Sequence, residues 1–185
     1  MKYTDYLQDV ERTWNKQSKE QDRKHIMLGL VDECGEIASA LKKHIGYGNE
    51  IDKVNILEEC GDYLYFLSKR IVEFNKFPLE DLEYLNEVVP SKAKLPRKED
   101  IDFYETFLSM EFMRYQLFFN QGCQNIAYVV TIIETVRIFL HAFDYTLEDC
   151  IQRNVAKREA RFPRGYEQTK AIERDLKNER KILEA

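Results

Sequence analysis

Two short acidic segments hold the residues best suited to chemistry in this chain of 185 residues: Asp32-Glu33-Cys34-Gly35-Glu36 and Glu58-Glu59-Cys60-Gly61-Asp62. In a helix, positions i and i+3 share a face. Glu33 with Glu36, and Glu59 with Asp62, therefore each make an edge of two carboxylates. Gly46-Tyr47-Gly48-Asn49 stands between the segments, and Gly and Asn tolerate the left-handed conformation that ends helices. A hairpin folding back at Tyr47 and Gly48 sets Glu33 opposite Asp62 and Glu36 opposite Glu59. Gly35 and Gly61 then come nearly opposite as well and let the two backbones approach.

Four facing carboxylates in a half-buried site cannot all stay ionised without positive charge between them. Protonation of some is one remedy and a divalent cation is the other. All-oxygen ligands favour the hard ions Mg²⁺ or Mn²⁺. A di-iron bundle calls for Glu-x-x-His on its helices, and none of His25, His44 and His141 lies three residues after a Glu. Chance spacing on solvated helix faces accounts for one such pair in an acidic chain. It accounts poorly for two pairs, each enclosing Cys-Gly and placed symmetrically about a turn.

The elements that position these residues are helices almost throughout, as the low Gly and Pro counts (7 and 4) and the apolar spacing of three to four residues indicate. The spacing predicts helices over Tyr3–Gln17, Lys24–Ile45 and Asp52–Phe74, the last closed by Pro78. Residues 86–100, with Pro90 and Pro96, read as a linker. Further helices are expected over Ile101–Asn120, Gln124–Phe143, Leu147–Arg161 and Tyr166–Glu184. The expected fold is an all-α helical bundle in a single domain spanning residues 1–185, with an insertion over 83–124 and a basic C-terminal helix over 166–185. One weak internal repeat relates Phe74–Leu82 to Phe143–Cys150. If the second helical pair is a decayed copy of the first, it places Ala127 and Val130 where Glu59 and Asp62 stand.

Hydrophobic residues make up 44% of the chain, enough for a core, and charged residues 33%. No apolar run approaches the roughly 18–20 residues that span a bilayer, and the first residues lack a signal-peptide run; a soluble cytoplasmic protein with no membrane partner is expected. The four cysteines show no metal or disulfide spacing and read as free thiols. The net charge is −5, yet residues 153–185 carry ten Lys/Arg against six Asp/Glu. An acidic body speaks against nucleic-acid binding, and the basic end suggests local anion sites. Lys157 and Arg161 lie four apart on one helical face there, and Asn154 precedes Lys157 on the same stripe.

With its carboxylate pairs, the chain resembles the all-α nucleoside triphosphate pyrophosphohydrolases, the MazG-like and dimeric dUTPase superfamily. Its hallmark is ExxE on one helix and ExxD on the next, matched by Glu33, Glu36, Glu59 and Asp62. The likeness extends through His25-Ile-Met-Leu-Gly29-Leu30, Lys42-Lys43-His44-Ile-Gly-Tyr47-Gly48 and Asp52-Lys-Val-Asn55-Ile-Leu-Glu58. Leu147-Glu148-Asp149 and Asn154 to Pro163 resemble the family's closing helix. It covers roughly residues 5–75 and 145–166; the stretch between departs from the compact family pattern.

The resemblance implies Mg²⁺-dependent hydrolysis between the α- and β-phosphates of a nucleoside triphosphate, for sanitation or control of a nucleotide pool. It implies Glu33, Glu36, Glu59 and Asp62 as metal ligands, with one of them or Glu58 positioning the water. Lys43, Lys157 and Arg161 are the candidates for phosphate binding, Asn154 for the sugar or base, and His25 or Trp14 for the base, although an aromatic on an apolar stripe is more often core. The base and sugar stay open. Family members commonly build the bundle from two chains, so a homo-oligomer, dimer or tetramer, is implied. The alternatives are a non-catalytic, metal-stabilised helical interaction protein and a carboxylate-bridged oxidase, which the missing Glu-x-x-His disfavours.

Overall fold

The computed structural model describes residues 1–75, 77, 83–86, 94–119 and 126–185, and among these it is an all-α helical bundle. The main helices are α1 (Tyr3–Thr13), α2 (Lys19–Tyr47), α3 (Lys53–Arg70), α4 (Phe103–Phe119), α5 (Ile126–Ala142) and α6 (Leu147–Arg161). Two short helices follow, α7 (Gln168–Ile172) and α8 (Leu176–Glu184). α2 packs along α3 and α4 along α5, while α6 closes against α3 and α1 lies on both α3 and α6.

Local chemistry explains where the helices begin and end. α2 starts earlier than its apolar stripe because Ser18 and Gln21 form a capping box, Ser18 accepting from the Gln21 amide while the Gln21 side chain returns to Ser18. It ends at Gly48, whose φ of 69° is the left-handed cap expected of glycine. Asp52 caps α3 by accepting from the amides of Val54 and Asn55, and Thr146 with Asp149 makes a second capping box at α6. α1 is shorter than its stripe suggests and stops at Thr13, though Trp14 is buried all the same.

α3 gives way to a π turn at Ile71–Asn75. The expected C-terminal helix is broken into α7 and α8, and only Glu179 and Leu183 of α8 are buried. In the expected linker, residues 94–97 are irregular and lead into a 3₁₀ turn, Lys98–Asp100. Pro78 and Pro90, most of the first copy of the repeat, and Cys123 lie outside the described residues.

The buried positions follow the apolar stripes: Tyr3, Leu7, Val10 and Trp14 on α1, Ile26, Leu30, Ile37 and Leu41 on α2, Leu57, Leu64 and Leu67 on α3. Burying each such side chain contributes about 1.5–3 kcal/mol. Cys34, Cys60 and Cys150 are free and buried. No single helix among the described residues is long and apolar enough to cross a membrane. α5 and α6 reach that length only as a pair bent by 94°, and their apolar residues sit in the core.

The two helices of the hairpin meet elsewhere than expected. A Cβ on Gly35 would find nothing within 4 Å, so Gly35 permits no close approach. A Cβ on Gly61 would stand 3.0 Å from the Asn154 side chain, so Gly61 admits α6 instead of α2. The tight contact between α2 and α3 is at Gly29, where a Cβ would lie 2.3 Å from the Phe66 ring.

Candidate metal centre

α2 and α3 bring the predicted carboxylates together. One oxygen each from Glu33, Glu59 and Asp62 lies within 4.8 Å of the others, the three-carboxylate group among the described residues that can hold a cation. Glu36 joins by a hydrogen bond to Glu59, and Glu33 bonds Glu59 as well. Glu59 is 7% exposed, whereas Glu36 is exposed.

The electrostatics are those of crowded acids. Burial raises the Glu33 carboxyl to about 8, with Asp62 and Glu36 adding repulsion. Burial likewise raises Glu59 to about 10, helped by the hydrogen bond and the charge of Glu36. Asp62 goes the other way. Its burial pushes upward, but the charge and hydrogen bond of Lys157 outweigh this, and the carboxyl is held below its ordinary value.

α6 supplies that hold. Lys157, 1% exposed, places Nζ 2.5 Å from Asp62 Oδ2 and 3.1 Å from Glu58 Oε1. Asn154, one turn earlier, donates from Nδ2 to Asp62 Oδ1 at 2.7 Å and accepts from the Tyr6 hydroxyl at 3.0 Å. The predicted phosphate and sugar contacts on this stripe are thus engaged with Asp62, fixing its orientation. Arg161 is engaged too, its guanidinium paired with Glu179 on α8. Sequence reasoning missed Glu179 and Arg174, because their segment carries no motif and their partners lie on distant elements.

Lys43 is exposed and lines a cleft of about 370 Å³ together with Glu36, Ser39, Asn49, Asn55 and Glu59. The cleft therefore opens directly onto two of the carboxylates, and its volume suits a small ligand. His25 lies elsewhere. It precedes Glu33 by about two helical turns, roughly 12 Å along the axis, and stacks on Trp14 with ring centroids 4.7 Å apart. Trp14 is core, as its stripe suggests, with Nε1 donating to Asp22 at 3.0 Å.

The donor set fits a hard divalent cation. Oxygens around a Mg²⁺ bound at 2.0–2.1 Å lie about 3–4 Å apart, so the three ligand atoms need only a small contraction. Two acids that otherwise hold protons gain a compensating charge there. An all-α bundle with a carboxylate centre on a helical hairpin is the class that fold and site define. The chain matches no protein-family model, no curated protein and no solved structure, so its further assignment stands on these residues.

Proposed function

We propose that this protein is a metal-dependent nucleoside triphosphate pyrophosphohydrolase, releasing a nucleoside monophosphate and pyrophosphate. The convergence of Glu33, Glu59 and Asp62 within 4.8 Å on the α2–α3 hairpin carries this reading. The match of these residues to the ExxE and ExxD pattern agrees with it. Mg²⁺ in the cluster, with Mn²⁺ as substitute, supplies charge neutralisation of the triphosphate and an acidified water.

The chain's own groups do the rest. Glu33, Glu59 and Asp62 hold the cation, and Lys157 with Asn154 keeps Asp62 ionised and oriented. Glu58 spends its charge on Lys157 and Arg174, at 3.1 and 3.8 Å. Glu36, exposed and lining the cleft, takes the proton from the water that attacks the α-phosphorus. The bond from that phosphorus to the bridging oxygen breaks, and pyrophosphate leaves. The cleft beside Lys43 receives the nucleoside, and the outer phosphates extend towards the basic end of α6. A homodimeric cytoplasmic enzyme of the nucleotide pool is the setting this chemistry suits.

The engagement of both Lys157 and Arg161 in internal ion pairs favours a second reading, a non-catalytic interaction protein whose bundle a metal stabilises. Pyrophosphate release from a panel of NTPs and dNTPs with Mg²⁺, beside a Glu59→Gln control, separates the two. Release abolished by the substitution or by chelator is expected. A folded protein that binds Mg²⁺ and cleaves none of the panel belongs to the second reading.

A further inference from the structure

Glu179 lies in α8 and is only 5% exposed. Its Oε1 accepts from Arg161 Nε at 2.8 Å, and its Oε2 accepts from Arg161 Nη2 at 2.5 Å and from Arg174 Nη2 and Nε at 2.8 and 3.3 Å. One carboxylate thus occupies two guanidinium forks, the arrangement in which arginine grips carboxylates and phosphates alike.

This clamp borders the metal centre. Arg174 Nη2 stands 3.8 Å from the Glu58 oxygen that Lys157 also bonds. The charges of Arg161 and Arg174 both act on Asp62. Arg174 thus bridges Glu179 and Glu58, and release of the Glu179 carboxylate would free the forks of Arg161 and Arg174 beside the carboxylate cluster. A cleft of about 130 Å³, lined by Arg161, Lys170 and Asn178 and also by the acidic Glu173 and Asp175, opens beside Glu179 and gives its side chain somewhere to turn. α8 has further anchors, Leu183 at 1% exposed and Arg180 paired to Asp52 at 2.9 and 3.0 Å, so displacing Glu179 loosens the helix without detaching it.

We infer that Glu179 is an internal stand-in for phosphate: Arg161 and Arg174 form a subsite for the outer phosphates of a polyphosphate ligand, which enters by displacing the Glu179 carboxylate. The inference rests on the triphosphate reading of the adjacent centre. A phosphate group brings more charge and more acceptor oxygens than a carboxylate, so it wins the clamp. The exchange lowers the apparent affinity by the cost of releasing Glu179.

The test is calorimetric binding of imidodiphosphate, whose P–N–P bridge resists hydrolysis, to the full chain with Mg²⁺. Glu179→Gln is expected to bind about tenfold tighter than the wild type, and adding Arg174→Gln is expected to remove the gain. Equal or weaker binding by a Glu179→Gln protein that melts like the wild type overturns the inference. Hydrogen exchange of the amides of residues 176–184 in the unsubstituted chain reads the same event. Saturating imidodiphosphate with Mg²⁺ accelerates it, and unchanged or slowed exchange overturns the inference. Neither readout needs turnover. Intact hydrolysis with unchanged binding rejects the role of Glu179 alone, and tightened binding without hydrolysis of any nucleotide rejects the reaction while leaving the subsite.

Discussion

Lys157 Nζ meets Asp62 Oδ2 at 2.5 Å across the contact between α6 and α3, and it is this pair that keeps one acid of the cluster ionised. Removing either partner leaves a largely buried charge uncompensated. Lys157→Met is expected to destabilise the fold by about 3 kcal/mol, seen as a lower urea midpoint. In the double variant Lys157→Met/Asp62→Asn the loss is partly restored, because the unpaired charge is gone. Strictly additive losses in that cycle would show that the pair is not coupled.

The raised acids make stability and metal binding depend on pH in opposite directions. Glu33 and Glu59 hold their protons to about 8 and about 10 in the folded chain, against 4.5 ordinarily. Between those values the folded state binds more protons than the unfolded state, so its stability falls as pH rises. Thermal unfolding in chelator is therefore expected at a lower Tm at pH 9 than at pH 6. Mg²⁺ should narrow this gap, binding more tightly at pH 9 and releasing protons as it binds. The double variant Glu33→Gln/Glu59→Gln should flatten the profile; a profile that keeps its slope there would place its origin elsewhere.

How much of this was legible in the sequence depended on how local each signal is. The carboxylate edges, the Gly48 stop and the apolar stripes are set within one or two helical turns, and each is where its residues indicate. The partners of Lys157 and Arg161 were not legible, because Asp62 and Glu179 come from other elements and either lysine or arginine reads equally well as a solvated face. The symmetry that sets Gly35 against Gly61 fails because facing helices roll about their axes. Hairpin numbering fixes the level of a residue and leaves its rotation open, so Gly61 turns to Asn154 while Gly35 faces solvent.

Gly29 tests the true point of approach. With a Cβ only 2.3–2.5 Å from three atoms of the Phe66 ring, Gly29→Ala forces that ring to move. The ring is held edge-on to Trp14 and Tyr65, which limits where it can go. Overpacking of this kind costs about 1–3 kcal/mol, outweighing the helix propensity gained. Phe66→Leu in the Gly29→Ala background should restore part of the loss, measured by urea unfolding. An unchanged or raised stability of Gly29→Ala alone would mean that α2 and α3 have slack at this level.

Glu36 and Glu59 are neighbours joined by a hydrogen bond, yet their burial and position assign them different work. Glu59 offers an oxygen to the three-carboxylate group, while Glu36 faces the cleft beside Lys43. Glu59→Gln should therefore lower Mn²⁺ affinity, followed by paramagnetic resonance, by more than a hundredfold. Glu36→Gln should cost no more than about tenfold, the low end of the range for a group that supports a ligand. Its effect should appear in kcat, reduced by about 10²–10⁴ as expected for loss of a general base, with KM nearly unchanged. Equal losses of metal affinity in the two variants would make Glu36 a ligand and move the proton acceptor to another carboxylate.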